Sequence, residues 1–430
     1  MNLQWLKLLR IFADPRITRT PLRVLTELRR QGKKRMPESA DRQLACGSTL
    51  PLLRLAKNWL AGENLTRHRG QWVLNSFLPP FPSPAFDRMF ENLLSGRRLS
   101  PVSAFLAVTS DCPFDCPHCS AKLRRGGNLT AEQWQNTLSQ LLAHGVSIVG
   151  FTGGEPLTRP DLPGLVRTAA DGGATTILFS SGAGFDEPTA KKLQAAGLWS
   201  VCISLDHSDP AECNRFRGSN GAYDTAVAAL RLAARHGFYT MIGSVARRSF
   251  VADREFERLH ELAGKLGVHE LRLVEPMPCG RLKNAPEDLL LAPEHVASLR
   301  EFHRRTNRRG HKPKVCAFNE IESPELFGCG GGTQHLYIDA AGEVCPCDFT
   351  PLSFGNVTRE PFAAIWTRMT GAMGNPRREC FLQRHHRLID GYATNDGPYP
   401  LPPETSCRIC AEVGRSKLPD YFRMVTGRDE

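Results

Sequence analysis

The sequence predicts an α/β fold built on a parallel sheet. Between residues 103 and 281, short runs of apolar and β-branched residues alternate with helical stretches, and this spacing fits strands joined by right-handed crossovers. About six such units can be counted, fewer than the eight of a closed barrel. The strands are expected at 104–109, 147–152, 175–179, 200–205, 239–245 and 269–274, and the helices between them at 131–144, 162–170, 188–196, 222–236 and 254–266.

The first 100 residues are predicted to form a basic, helical extension. Residues 1–35 contain ten Lys and Arg against two acidic residues, so much of the formal charge of +11 lies at this end. Residues 2–13 fit an amphipathic helix, which most often packs on a core but could also lie on an anionic membrane surface or bind an acidic partner. A helical stretch is expected near 50–60, and four prolines within 75–84 predict an extended connector.

The composition predicts a cytoplasmic enzyme. The chain has 430 residues, enough for about two or three domains. Lys7 and Arg10 interrupt the apolar N-terminus before a secretory leader can form, and no run of about 18 apolar residues predicts a membrane span. Fourteen cysteines in a chain of this length fit metal ligands better than disulfides. Nucleic-acid binding is not expected, because the basic end comes without a recognisable binding motif.

Cys112, Cys116 and Cys119 are the strongest signal for chemistry. They follow the first predicted strand with the spacing Cys-x3-Cys-x2-Cys, and no fourth cysteine is close in the sequence. Three thiolates on one short loop can hold three irons of a 4Fe-4S cube and leave the fourth iron open to a small molecule. Zinc is the alternative, but it usually takes four ligands, and His118 is too cramped between the cysteines to complete a tetrahedron.

Glycines and polar residues follow the later predicted strands, where the chemistry of parallel barrels lies. After the second strand, Gly153 and Gly154 admit a ligand close to the backbone, and Glu155 can accept hydrogen bonds from an ammonium group. Hydroxyl groups, a carboxylate and a guanidinium follow the next strands and suit a ribose and a carboxylate ligand. These residues are Ser181, Ser204, Asp206 and Arg217.

With the cysteine triplet and a Gly-Gly-Glu-Pro motif after the next strand, the chain resembles the radical S-adenosylmethionine (SAM) superfamily. The resemblance implies an incomplete (β/α)6 TIM-like barrel, a 4Fe-4S cluster on the triplet and cleavage of SAM to a 5'-deoxyadenosyl radical. It also implies a low-potential electron donor such as a flavodoxin or ferredoxin, and it assigns no general acid or base. The residues that it places on SAM are Gly153, Gly154, Glu155, Pro156, Ser181, Ser204, Asp206 and Arg217.

The region from residue 316 onward contains seven more cysteines and resembles the SPASM and Twitch extensions of radical SAM enzymes, which carry auxiliary 4Fe-4S clusters. Cys329 precedes three glycines, Gly342 stands five residues before Cys347, and Gly355-Asn356 leads to Trp366, as in that pattern.

The resemblance implies at least one auxiliary cluster, with Cys329, Cys347, Cys407 and Cys410 as its ligands. A zinc ribbon is the alternative for this set. The remaining three cysteines of the region are either ligands of a second cluster or buried thiols. They are Cys316, Cys345 and Cys380.

The predicted organisation is an extension at 1–100, a partial barrel at 101–281, a basic linker with a helix at 282–315 and an auxiliary cluster domain at 316–430. The predicted function is that of a radical SAM enzyme that abstracts hydrogen from a peptide, the commonest substrate of SPASM relatives. One alternative substrate is a lipid, isoprenoid or tetrapyrrole-like molecule, reached at the membrane surface through residues 2–13. A non-catalytic, metal-stabilised nucleic-acid-binding protein is the alternative from another class.

Overall fold

The computed structural model describes residues 62–95, 100–124, 126–284, 290–393 and 399–426, together with residues 14, 15, 19 and 60. The predicted amphipathic helix at 2–13, and all of the predicted helical stretch at 50–60 except its last residue, lie outside the described residues. Among the helices that are described, none is both long and apolar enough to pass through a bilayer.

The described part of the extension is a β-hairpin followed by a helix. Strands β1 (Thr66–His68) and β2 (Gln71–Val73) are antiparallel, and Arg69 and Gly70 between them both have positive φ, as a two-residue hairpin turn requires. The proline-rich connector leads to helix α1 (Pro84–Ser95). Apolar side chains of these parts form a small core of their own, which includes Leu65, Trp72, Leu74, Phe81, Phe86 and Met89.

One large sheet dominates the described part of the chain. Its strands are β3 (Ser103–Thr109), β4 (Ile148–Gly153), β5 (Thr175–Ser180), β6 (Ser200–Ser204), β7 (Tyr239–Val245), β8 (Glu270–Val274), β9 (Lys314–Ala317), β10 (His335–Ile338) and β11 (Val344–Cys345). Across the sheet their order is β11-β10-β3-β4-β5-β6-β7-β8-β9. All neighbours are parallel except β11, which is antiparallel to β10.

Helices connect the strands and cover the sheet. In chain order they are α2 (Ala131–Ala143), α3 (Leu162–Asp171), α4 (Glu187–Ala195), α5 (Pro210–Arg217), α6 (Ala222–Arg235), α7 (Arg248–Ala252), α8 (Glu255–Lys265), α9 (Pro293–Arg308) and α10 (Phe318–Ile321). Beyond β11 follow α11 (Phe362–Met373), α12 (Phe381–Tyr392), α13 (Pro403–Val413) and α14 (Asp420–Thr426). One continuous core joins the sheet to both groups of helices.

The predicted α/β fold is confirmed. The six predicted strands and the five predicted helices between them are all present, each within one residue of its expected ends. The sheet extends further than predicted, because β9 pairs with β8, and β10 joins β3 from the other side. These additional strands are only four residues long, too short to give a clear pattern in the sequence. The sheet is therefore an incomplete barrel whose edges come from the later part of the chain.

Helix α9 covers the outer edge of β9. The side-chain amide of Asn307 hydrogen-bonds both backbone groups of Val315, at 2.8 and 2.9 Å, and Nδ1 of His303 accepts a hydrogen bond from the backbone N–H of Ala317 at 3.1 Å. These side chains occupy backbone groups that a further strand would use.

The extension closes the amino-terminal end of the sheet through polar contacts. The Nζ of Lys314, at the start of β9, donates to two backbone oxygens at the end of β2, at 2.8 and 3.0 Å. Ser76 hydrogen-bonds both Glu270 and Arg272, and the Tyr239 hydroxyl donates to Glu270 at 3.0 Å. Buried charges that are hydrogen-bonded in this way are tolerated in a core. The carboxyl-terminal end of the strands is thus the face that a ligand can enter.

His269 at this closed end predicts a loss of stability in acid. Burial, with smaller contributions from His68 and Lys314, lowers its pKa from the ordinary 6.5 to about 4. Its Nδ1 accepts a hydrogen bond from the Thr240 backbone N–H at 3.1 Å, which a proton on Nδ1 would break. Because the unfolded chain binds this proton more tightly, the stabilisation is complete above pH 6.5 and is lost as the pH falls toward 4.

We expect the melting temperature to fall between pH 7 and pH 5, and to fall less in a His269→Gln variant, which keeps an acceptor but cannot take up the proton. Anaerobic thermal unfolding at the two pH values measures this. Equal falls in both proteins would show that His269 does not carry the effect.

Candidate active site

A cavity of about 540 Å³ opens at the carboxyl ends of the strands. This volume is typical of a small-molecule site. Most of the residues predicted to bind the cluster or SAM line it together, although they come from four different strand ends: Cys112, Cys116, Cys119, Gly153, Gly154, Ser181, Ser204, Asp206 and Arg217. Glu155 and Pro156, from the same prediction, are buried and do not line the cavity.

The loop that carries the three cysteines is held from two sides. On one side, the backbone N–H groups of Gly154 and Glu155 donate to the backbone oxygens of Thr109 and Asp111, both at 2.7 Å. On the other side, Arg281 donates from its guanidinium to the backbone oxygens of Asp115 and Cys116, at 2.9 and 3.0 Å. The rest of the barrel therefore helps to fix the conformation of this loop.

The three thiols fit a 4Fe-4S cluster. Sulfur ligands are those that iron-sulfur clusters prefer, and all three thiols face the same cavity. Burial raises the pKa of the Cys112 and Cys116 thiols, and the Arg217 guanidinium opposes this shift at Cys116. Within the described ranges, no three His, Cys, Asp or Glu side chains are grouped around a point where a single metal ion would sit. This finding does not count against a 4Fe-4S cluster, because each thiolate of a cluster binds a different iron and the three need not surround one point.

Gly153 and Gly154 bring the backbone of the β4 turn against the cysteine loop. Gly153 has a φ of +135°, a conformation that side chains disfavour. A Cβ at Gly154 would overlap the backbone oxygen of Asp111, immediately before Cys112. The β4 turn can therefore approach the cysteine loop only because neither residue has a side chain. As a result, backbone groups of the turn face the cavity.

Glu155 does not face the ligand in the way the resemblance implied. Its carboxylate is fully buried and accepts four hydrogen bonds, from the Leu157 N–H, the Ser180 hydroxyl, and both the N–H and the hydroxyl of Ser181. Burial raises the pKa of Glu155, and these donors oppose the shift. The carboxylate therefore ties the end of β4 to the end of β5. The atoms of this motif that reach the cavity belong to Gly153 and Gly154.

We expect a Glu155→Gln variant to lose stability. The amide would present a donor to groups that are themselves donors, and a buried polar group left unsatisfied costs about 1–3 kcal/mol. Urea unfolding measures the loss, and a Ser139→Ala variant, which removes an exposed hydroxyl from α2, serves as the control. Wild-type stability in Glu155→Gln would contradict the role of this carboxylate as a tie between strands.

Asp206 and Arg217 form an ion pair beside the triplet. Nε of Arg217 lies 2.6 Å from Oδ2 of Asp206, and the Val245 N–H donates to Oδ1 of the same carboxylate at 2.7 Å. Nη1 of Arg217 is 3.8 Å from the Cys116 sulfur. Despite burial, the charges of Asp206 and Cys116 raise the pKa of Arg217. Asp206 thus holds the guanidinium at the cavity wall, and Ser204 presents its side chain nearby on the same wall.

An aromatic stack beside the triplet was not predicted. The His118 ring lies parallel to the Phe216 ring at 4.0 Å, and the Arg247 guanidinium lies 3.8 Å from the centre of the Phe216 ring. Burial lowers the pKa of His118 to about 4, so the ring is neutral near pH 7. No single stretch of sequence signals this stack, because its three members come from the cysteine loop, α5 and the end of β7.

Arg272 and Arg124 also line the cavity without having been predicted. Arg272 lies within 5.5 Å of the ring centres of Phe77, Phe179 and Phe318, which form an aromatic cage around its charge. Arg124 donates to the Cys345 sulfur at 3.2 Å and so connects the segment after the triplet to β11.

The later cysteines fall into separate groups. Cys329 raises the pKa values of both Cys347 and Cys380, and Cys347 also raises the pKa of Cys380, so these three cysteines influence one another. Cys407 and Cys410 both lie on α13. Cys316 on β9 and Cys345 on β11 lie on strands at opposite edges of the sheet. The structure therefore does not bring Cys316, Cys345 and Cys380 together as the second cluster that the sequence allowed.

A partial parallel barrel whose first strand leads into three thiols at a ligand-sized cavity defines an enzyme that uses an iron-sulfur cluster. The sequence model of the radical SAM superfamily matches residues 106–263, and that of the iron-sulfur cluster-binding SPASM domain matches residues 329–387. A PqqA peptide cyclase from Streptomyces rochei is 32% identical over 305 residues, which cover 66% of this chain and 83% of that protein. The chain belongs to the radical SAM superfamily and carries a SPASM domain.

Other similar proteins agree with this assignment. An AdoMet-dependent heme synthase from Methanosarcina barkeri is 26% identical over 282 residues, which cover 60% of this chain and 80% of that protein. The crystal structure of SuiB from Streptococcus suis bound to S-adenosylmethionine has a TM-score of 0.55 at 14% identity, and the match covers 72% of this chain and 80% of that one. This last likeness confirms the fold.

The cofactors are 4Fe-4S clusters and SAM, and the predicted enzyme class is confirmed. When bound, the reduced cluster supplies the electron that cleaves SAM to methionine and a 5'-deoxyadenosyl radical, which abstracts hydrogen from the substrate. The alternatives of a zinc site at the triplet and of a non-catalytic nucleic-acid-binding protein are therefore wrong.

Proposed function

We propose that this enzyme modifies a ribosomally made peptide. The observation that carries the proposal is the 32% identity to a PqqA peptide cyclase over most of that protein's length. A SPASM domain after the barrel, matched at residues 329–387, also supports it.

The cavity is suited to receive part of a peptide rather than all of it. At about 540 Å³ it has the volume of a site for one or two small ligands, and SAM would take a large share. The peptide would therefore insert one or two residues and leave the rest outside the barrel. Aromatic side chains that line the cavity suit an apolar or aromatic residue of the substrate; they are Phe105, Phe114, Phe179, Phe318, Tyr337 and Phe349.

The roles of the SAM-binding residues are part of this proposal. The backbone of Gly153 and Gly154 would contact the methionine end of SAM, and Arg217 would pair with its carboxylate while Asp206 fixes the guanidinium. Ser181 and Ser204 would contact the ribose. Glu155 and Pro156 would act behind them, by holding the turn in place.

We also propose that the enzyme works in the cytoplasm and takes its electrons from a flavodoxin or ferredoxin. A membrane contact through residues 2–13 stays a prediction, because that segment lies outside the described residues.

Anaerobic incubation with SAM, dithionite and peptides encoded by short reading frames next to the gene tests the proposal. Mass spectrometry is expected to show a peptide product that has lost hydrogen, formed together with 5'-deoxyadenosine. A heat-treated enzyme sample is the control. SAM cleavage that no neighbouring peptide stimulates, and that leaves every peptide mass unchanged, would count against a peptide substrate.

A tetrapyrrole is the second candidate, favoured by the 26% identity to an AdoMet-dependent heme synthase. The same assay with an iron tetrapyrrole in place of the peptide separates the two. A tetrapyrrole product without any peptide product would favour this candidate.

A further inference from the structure

The side chain of Arg272 is a buried charge that lines the cavity. The residue is 3% exposed and lies in the middle of β8, two positions before the strand ends at Val274. At the rise of a parallel strand, its backbone lies about 7 Å below the carboxyl end of β8. Its guanidinium contacts Ser76, which belongs to the segment that closes the amino-terminal end of the sheet. Arg272 is therefore deep in the barrel, whereas Arg217 comes from helix α5, beyond the end of β6.

Arg272 has no carboxylate partner in the part of the chain that the structure describes. There its guanidinium forms no ion pair and donates one hydrogen bond, from Nη1 to the Ser76 hydroxyl. Ser76 in turn donates to Glu270, so a hydroxyl group separates that carboxylate from the guanidinium. Each of the other Lys and Arg side chains that line the cavity has a carboxylate within 4 Å: Arg217 pairs with Asp206, Arg124 with Asp339 and Lys122 with Asp115.

The aromatic cage around Arg272 leaves its N–H groups available. The ring centres of Phe77, Phe179 and Phe318 are 5.4, 5.3 and 4.9 Å from its Cζ. A phenylalanine ring stabilises a nearby cation but has no lone pair to accept a hydrogen bond in the plane of the guanidinium. Because Ser76 takes one donor, the described residues leave most of the planar fork for a ligand.

A carboxylate is the ligand that this environment fits. The guanidinium fork matches the two oxygens of a carboxylate, and a buried charge is usually paired. The carboxylate of SAM is not available for this purpose, because Arg217 lies beside the cysteine triplet and is proposed to bind it. The partner of Arg272 must therefore come from the substrate.

We propose that Arg272 binds the carboxylate of an acidic side chain, Asp or Glu, that the substrate peptide inserts into the barrel. A side chain can reach this depth while its backbone stays near the opening, whereas a C-terminal carboxylate would require the backbone itself to enter. The proposal rests on the proposed function, since it takes the substrate to be a peptide, and it adds the class of one residue of that peptide.

Two isomeric probes test this site on the full chain. N-acetylglutamate α-amide has its carboxylate on the side chain, and N-acetylglutamine has it on the backbone, so both have the same charge. Each is titrated by saturation-transfer NMR into the anaerobically reconstituted enzyme. The clusters are kept oxidised, so that saturating SAM is not cleaved and continues to occupy Arg217.

We expect N-acetylglutamate α-amide to bind the wild type at least about tenfold more tightly than N-acetylglutamine, because a charge-assisted hydrogen-bonded pair forms only with the first. Arg272→Gln is expected to remove this preference. Arg167→Gln is the matched control, since it makes the same change on the exposed face of α3, and we expect it to bind both probes as the wild type does.

Probes that bind the wild type equally or not at all, or a preference that Arg272→Gln keeps, would overturn the proposal. Because Arg272→Gln also loses the contact with Ser76 and could unfold, circular dichroism is recorded and Arg272→Lys is titrated as well. Lysine keeps the charge but lacks the planar fork, so we expect a smaller preference, and an undiminished one would overturn the proposal. The probes need not react. A wild type that prefers the side-chain carboxylate but modifies no peptide would therefore support the carboxylate site and count against the proposed function alone.

Discussion

Replacing Cys112, Cys116 and Cys119 together with alanine is expected to abolish formation of 5'-deoxyadenosine from SAM. The three thiols line one cavity on a loop that the barrel holds in place, and without them no ligands for the SAM-binding cluster remain on that loop. We expect the rate to fall at least about a thousandfold, to the background of the assay, because the radical step depends entirely on the cofactor. Anaerobic incubation with SAM and dithionite, followed by chromatography of the nucleoside, measures this.

A Cys213→Ala variant is the control for loss of a thiol. Cys213 is buried in α5, outside the cysteine loop, and it does not line the cavity. We expect it to form 5'-deoxyadenosine within about threefold of the wild-type rate, because a single cysteine-to-alanine change in a core is a small change of volume. If the triple variant retained the wild-type rate, the cysteine loop would not be the site of SAM cleavage.

A Gly154→Ala variant is expected to lose most of its activity although it removes no cluster ligand. The added Cβ would overlap the backbone oxygen of Asp111, so either the cysteine loop or the β4 turn must move. A displacement of about 1 Å in an active site can reduce the rate about a hundredfold. We therefore expect 5'-deoxyadenosine formation to fall by about this factor, and iron content after reconstitution to fall as well.

Gly127→Ala provides a matched control for this change. It is the same substitution close to the same loop, but a Cβ at Gly127 would meet nothing within 4 Å, and the residue does not have a positive φ. We expect wild-type iron content and activity. Equal activity of Gly154→Ala and the wild type would show that the close approach of the glycine turn to the cysteine loop is not needed.

The sheet and the cysteine loop could be predicted because their signals are local. The strand from Ser103 to Thr109 is an apolar run of the right length, and the three cysteines after it have a distinctive spacing. The additional strands β9 and β10 could not be predicted in the same way, because each has four residues and takes its place in the sheet through pairing with distant parts of the chain.

The roles of individual side chains were harder to predict than their positions. Glu155 was expected to bind a ligand, but Ser180 and Ser181 on the neighbouring strand satisfy its carboxylate. Asp206 was likewise expected at the ribose and instead pairs with Arg217. The sequence shows that a carboxylate lies at the end of a strand. Which donor binds that carboxylate depends on distances across the sheet, which the sequence does not give.

The auxiliary cysteines show the same limit. The spacing of Cys407 and Cys410 suggested a close pair of ligands, whereas Cys380 has no cysteine near it in the sequence. Arg377, three residues before Cys380, pairs with Cys329 through the backbone. A contact of that kind leaves no periodic pattern in the sequence.

EPR spectroscopy of the reduced protein with and without SAM tests the central claim most directly. A Cys329→Ala, Cys347→Ala variant removes two of the predicted auxiliary ligands, so that the signal comes from the cluster on Cys112, Cys116 and Cys119. If SAM binds the open iron of that cluster, adding SAM must change the g values of the signal, and the change must be absent when Cys116 is also replaced. A spectrum that is identical with and without saturating SAM would contradict the claim that this cluster holds SAM at an open iron.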